Sequence, residues 1–211
     1  HSYGSHCEVT LRDVRLGSDA MLGGRGDGFV VAQIRLGPGR IHHCMRWIGQ
    51  ATRAFDMMCE RATYRSAHGS LLADKQTIRN FIADSAAEIQ ALRLMTLHAA
   101  WRIDNEGTRE ARKDIALIKF FGARMLHEVI DRSLQVHGSL GYSSDLPLES
   151  MYRAARAARL YDGPDEVHRD TVARQYLKAY APPPGNVPTE HIPSRRTQAL
   201  ERFADLLADQ P

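Results

Sequence analysis

The sequence predicts an all-α fold, an antiparallel bundle of long helices, and three observations carry that prediction. From Ile41 onward, apolar side chains recur every three or four residues, the period of a helix with one buried face. Three such stretches each exceed 20 residues, and the connections between them are short. Only the segment holding Val9, Leu11, Val14 and Leu16, with polar residues between them, reads as strand.

That early segment supports one or two short strands at most, closed by the turn-like Gly17-Ser18-Asp19. Lone strands leave open edges, so they are expected to belong to a sheet completed by a longer parent or a partner chain. The first residue, His1 rather than Met, fits a chain that is processed, cut or part of something longer. Gly23 to Gly28 reads as a flexible linker; as a phosphate loop it lacks the Lys-Ser/Thr ending.

The first long helix follows from Ile41, Cys44, Ile48, Ala51, Phe55, Met58 and Ala62. A second spans about Lys75 to Ile103, with Ile78, Ile82, Ile89, Leu92, Met95 and Ala99 on one face and Gly107 in the following connection. The third runs from about Glu110 to Val136, and Gly138 and Gly141 suit its end. Two shorter helices are expected at about Leu148 to Leu160 and Pro164 to Lys178, the latter opening on Pro164, Asp165 and Glu166 as a helix N-terminus prefers. Pro182, Pro183, Pro184 and Pro188 form a stiff linker, and Thr189 to Asp209 an amphipathic tail carrying Leu200, Phe203, Leu206 and Leu207. Three regions result: residues 1–28, the bundle at 29–180, and the linker with its tail at 181–211.

Composition narrows the class. With 211 residues, 43% hydrophobic and 25% charged, the chain can bury the core of one domain with a small appendage. No apolar run approaches the roughly 20 residues of a membrane span, and the tail's mixed charges favour protein packing over lipid. Cys7, Cys44 and Cys59 are odd in number and lack CxxC spacing, which argues against disulfides or structural zinc and fits the cytoplasm or another reducing compartment. A net charge of +3 from scattered basic residues gives no nucleic-acid arm. No Ser-His-Asp, zinc or Walker pattern is present, and no metal site is expected. The ten histidines, His42-His43 included, show no ligand spacing and read as surface or packing residues.

Four segments stand out in order and spacing: Leu36-Gly37-Pro38-Gly39-Arg40, Arg65 to Gln76, Gln135 to Tyr142, and Tyr161 to Arg169. From residues alone, Asp162 before Gly163-Pro164 is a helix N-cap, Gly138 a helix C-cap, and Arg65 and Gln76 polar residues at helix ends.

Together these segments resemble the acyl-CoA dehydrogenases over about residues 8 to 180. The nearest likeness is to a branch carrying LGPGRIHHCMR, found here at Leu36 to Arg46, and ADGPDEVH, matched by YDGPDEVHR at Tyr161 to Arg169. The resemblance implies an antiparallel four-helix bundle, the family's C-terminal domain, preceded by a short remnant of its middle β domain. It implies FAD as cofactor and an acyl-CoA substrate, oxidised to the trans-2-enoyl-CoA with electrons passed to an electron-transfer flavoprotein. Asp162 aligns with the carboxylate that removes the α proton; the wider family has Glu there. Arg65, Gln76 and Glu166 align with flavin contacts, as do Gln135 and Gly138 toward a neighbouring subunit's flavin. Arg40 and Gly163 fall on the substrate side. Ala67, His68, Ser139 and Pro164 depart from the family's pattern. Those departures leave open an alternative: a non-catalytic bundle subunit that assembles with a full-length partner, rather than a homo-oligomer of catalytic chains.

Overall fold

The computed structural model describes residues 7–208; residues 1–6 of the expected β segment and 209–211 of the expected tail lie outside the described residues. In chain order the elements are α1 (Gly28–Tyr64), β1 (Ser66–Ala67), β2 (Ser70–Leu71), α2 (Gln76–Glu106), α3 (Arg112–His137), α4 (Leu148–Ala158), α5 (Asp165–Leu177), α6 (Ile192–Arg202) and α7 (Ala204–Ala208). The expected helices therefore form, and residues 8–16 take no regular structure, with Val9, Leu11, Val14 and Leu16 exposed. Without neighbouring strands their backbone groups have no ladder to join.

Helix α1 begins at Gly28 rather than near Ile41. Gly37-Pro38-Gly39 looks like a break, yet Pro38 sits inside the helix. The α2–α3 connection approaches so closely at Gly37 that a Cβ there would lie 2.6 Å from Thr108 Cγ2, so the glycine is what lets the connection pack against the helix there. Between α1 and α2, β1 and β2 make a minimal antiparallel hairpin, Ser66 opposite Leu71. His68 and Gly69, at φ 51° and 79°, supply the two left-handed positions of a tight hairpin turn.

Helix directions follow from side-chain contacts. Cys44 Sγ donates to Ile118 O, and Ser133 Oγ donates to Ala54 O, so α1 and α3 run parallel. Arg132 pairs with Glu88, and Arg102 with Asp114, so α2 is antiparallel to α3. All three meet at Gly122, where a Cβ would lie 3.0 Å from Leu92 and 3.2 Å from Trp47. Cys44, Trp47, Ala51, Leu92, Ile118 and Val129 are among the buried residues of the shared core.

The fourth rod of the bundle is made of two pieces. His127 packs on Tyr152, Lys119 reaches Ala158 and Gly163, and Lys113 lies over Tyr176. Thus α4 and α5 run in succession down α3, antiparallel to it, separated by residues 159–164. Beyond them, Leu200, Phe203 and Leu206 of the tail remain exposed rather than packed on the bundle. Among the described residues, no helix is long and apolar enough to cross a membrane.

Candidate active site at the break between α4 and α5

Gly163-Pro164 forces the interruption of the fourth rod: proline lacks an N–H, and the residue before it is pushed out of helical geometry. Asp162 and Gly163 take the left-handed region, at φ 53° and 98°, and α5 restarts with Pro164 as its cap. Gly163 is needed twice over, because a Cβ there would also lie 2.8 Å from His168 Nε2. The N-cap reading of Asp162 does not hold, since α5 has no side-chain cap and the Asp162 carboxylate turns elsewhere.

Side chains from three helices satisfy the backbone of the break. Arg40 of α1 donates to Asp162 O through Nε and Nη2, both at 3.2 Å, and His168 Nε2 donates to the same oxygen at 3.1 Å. Lys119 of α3 is fully buried and donates to Ala158 O at 2.8 Å and Gly163 O at 3.2 Å. It caps the C-terminus of α4, where helix carbonyls favour a cation. The Trp47 and Tyr161 rings flank its ammonium at 5.3 and 5.5 Å. Burial lowers the pKa of Lys119, Arg40 and His168 from their ordinary values, and pushes the Cys44 thiol up to about 12, an inert core thiol.

The carboxylate itself meets His43: Oδ2 lies 2.5 Å from Nε2, with both side chains partly exposed. Asp162 lines two openings. One, of about 840 Å³, lies between the start of α1, the start of α3 and α5, with Phe29, Ile34, Arg40, Arg112, Gly163 and His168 in its wall. The other, of about 280 Å³, includes Arg35, His42, His43 and Arg46. A carboxylate with one oxygen engaged, at the edge of a largely apolar cavity that also holds arginines, can accept a proton from a bound molecule.

The structure divides the residues singled out by sequence into two groups. Asp162, Gly163 and Arg40 converge at the break. Glu166 is nearby on the first turn of α5, but its carboxylate is exposed and lies 3.9 Å from Arg169. Arg65, Gln76, Gln135 and Gly138 lie at the opposite end of the bundle, where α1 and α3 finish and α2 starts. Along α1, His43 and Arg65 are separated by roughly 33 Å at the rise of a helix. Arg65 and Gln135 are exposed there, and Gly138, at φ 65°, has no heavy atom within 4 Å of where a Cβ would stand.

Three residues of the site were missed in the sequence. His43 and His168 lie inside the two most telling strings, but nothing in their spacing marked them as partners of Asp162. Lys119 carried a usable signal: it interrupts the apolar face formed by Ile115, Ile118 and Gly122, where a charge must find partners. Among the described residues, no group of His, Cys, Asp and Glu is placed to hold a metal ion.

Comparison with known proteins bears on the same residues. The family model described as "Acyl-CoA dehydrogenase, C-terminal domain" matches residues 26–177. "Probable acyl-CoA dehydrogenase FadE2" of Mycobacterium tuberculosis is 48% identical over 172 residues, covering 82% of this chain and 42% of that protein. Human "Acyl-CoA dehydrogenase family member 11" is 44% identical over 179 residues, 85% of this chain and 23% of the relative. The solved butyryl-CoA dehydrogenase of Megasphaera elsdenii superposes with a TM-score of 0.72 at 28% identity, over 79% of this chain and 43% of that one. This chain thus spans less than half the length of these curated relatives.

Proposed function

The chain belongs to the acyl-CoA dehydrogenase family, through its C-terminal domain, and from that premise we propose that it supplies the base-bearing wall of an FAD-dependent acyl-CoA dehydrogenase. Asp162 takes the α proton of the acyl thioester, and the product is the trans-2-enoyl-CoA. The observation that carries this reading is the position of the Asp162 carboxylate: in a break of the bundle, at the rim of the 840 Å³ cavity, with its backbone held by Arg40 and His168. A fixed backbone holds the carboxylate near one geometry, as a base acting on a single C–H bond requires.

FAD, when bound, supplies the acceptor for the hydride leaving the β carbon, and an electron-transfer flavoprotein takes the electrons onward. The far end fits such a cofactor: an exposed guanidinium at Arg65, amides at Gln76 and Gln135, and a bare backbone at Gly138 suit a pyrophosphate and its ribose. Its distance from Asp162 supports a division in which each bundle offers its base to one flavin and its far end to a neighbour's. That arrangement makes the working form an oligomer, either of identical chains or with a full-length subunit.

In the full-length protein, Asp162→Asn is expected to slow flavin reduction by acyl-CoA by at least about 100-fold, read as bleaching of the flavin's visible absorbance. Unchanged reduction would remove Asp162 from the chemistry. The departures at Ala67 and His68 favour the second reading, a bundle subunit without catalysis of its own. That reading predicts that a mixed assembly with a full-length partner reduces flavin equally well whether it contains the parent chain or its Asp162→Asn variant.

A further inference from the structure

His43 touches the Asp162 carboxylate, yet neither its spacing nor the aligned contacts assign it a role. Its Nδ1 accepts from Arg46 Nη2 and its Nε2 faces Asp162 Oδ2 at 2.5 Å. A guanidinium has five donors and no acceptor, so the nitrogen facing Arg46 must be the one without a proton. The ring proton therefore sits on Nε2 and points at the carboxylate. The ring is also held in plane: Trp47 stacks on it at 5.8 Å and 22°, and Tyr161 lies 5.1 Å away on a tilted plane. Trp47 is itself buried and donates to Tyr161 Oη at 3.0 Å, which locks both partners of the imidazole.

We infer that His43 is the positioning residue of the base: held by Arg46 as the neutral Nε2–H tautomer, it donates to Asp162 Oδ2 and leaves Oδ1 as the oxygen that accepts the proton. This rests on the reading of Asp162 as the base. The step balances simply. The C–H bond at the α carbon breaks and leaves its electron pair on the thioester as an enolate, an O–H bond forms on Oδ1 from the carboxylate's lone pair, and Oδ2 becomes a carbonyl oxygen that still accepts from His43. The neighbour does not rearrange between the two protonation states.

A neutral donor suits this task better than an imidazolium. It donates to the ionised carboxylate without setting a full cation against it. Burial first, and the nearby cations after it, favour the neutral ring. Around the pair stand Arg35, Arg40, His42 and Arg46 from α1, Lys119 from α3, and Tyr161, Asp165 and His168 from the break and α5. Burial together with Arg46 and Lys119 lowers the His43 pKa, against the pull of Asp162.

Two measurements test the inference. Long-range proton–nitrogen spectra of histidine-labelled chain are expected to show His43 neutral and protonated on Nε2 at pH 7, and to lose that fixed tautomer in Arg46→Leu. An imidazolium or an Nδ1–H form in the parent chain would overturn it. In the full-length enzyme, His43→Leu is expected to raise the acid-side midpoint of the flavin-reduction profile by about one pH unit and to lower the plateau about tenfold. His43→Gln, whose amide can still donate, should recover the plateau to within about threefold and return the midpoint toward the parent value; a packing role alone would leave the midpoint in place for both variants, and that result defeats the inference. Asp162→Asn separates the two claims. If it still reduces flavin, the base reading has failed. If it is inactive while His43→Leu keeps the parent profile, the base stands and His43 has no part in it.

Discussion

Gly163 shows how much of this site rests on single atoms. Its φ of 98° is open to glycine and strained for any side chain, and the nearest obstacle to a Cβ is a ring nitrogen 2.8 Å away. Gly163→Ala is therefore expected to lower stability by about 1–3 kcal/mol, measured by chemical denaturation, and to push His168 off the Asp162 carbonyl. A stability loss below a few tenths would mean that the break adjusts freely. The histidines add a pH dependence. Burial lowers the pKa of His43, His127 and His168 below the ordinary 6.5, so just beneath that pH the unfolded chain binds protons that the fold does not. Stability from these groups is therefore complete above the ordinary histidine pKa and is lost as pH falls below it, levelling off under the folded values. The urea midpoint should be lower at pH 5 than at pH 7, by a smaller margin in His168→Gln. A midpoint that holds or rises on acidification would contradict this.

At the scale of elements, the decisive feature is that the fourth rod is two helices joined by six residues, and that α3 binds both halves through one lysine. Lys119 ties the last carbonyl of α4 to the carbonyl of Gly163 just ahead of α5. Lys119→Met keeps the length and loses the donors, leaving two carbonyls without their partner. The expected cost is about 2–3 kcal/mol in denaturation, with faster proteolysis at residues 159–164 than in the parent chain. Equal stability and equal cleavage would show that water replaces the ammonium. The start of α1 carries the contrasting lesson. Its first turns expose Phe29, Val30 and Ile34, so no apolar periodicity of a buried face announces them, and the helical pattern in the sequence begins only at Ile41. The packing of Thr108 against Gly37, across some seventy positions, is likewise a contact that local pattern cannot reveal.

The whole molecule has the Asp162 carboxylate at one end and exposed polar groups at the other, with a packed core between. Under the proposed sharing, a lone copy offers a flavin only part of its contacts at either end. This chain by itself is expected to lose FAD on gel filtration, whereas assembly with a complete subunit should retain it; tight, stoichiometric flavin in the isolated chain would contradict the proposed sharing. The periodic apolar residues and the Gly-Pro break before α5, both local properties of the chain, are enough to determine that the helices exist and their order, whereas from the residues alone Asp162 reads as a helix cap and only the family resemblance singles it out. The residue that its carboxylate touches is not among those properties. His43 and Asp162 meet only because α1 and α3 run parallel and α5 returns along them, and Lys119 and His168 join them for the same reason. A site assembled from three distant stretches is decided by how helices pack, and the strings that mark its members say nothing of which atoms will touch.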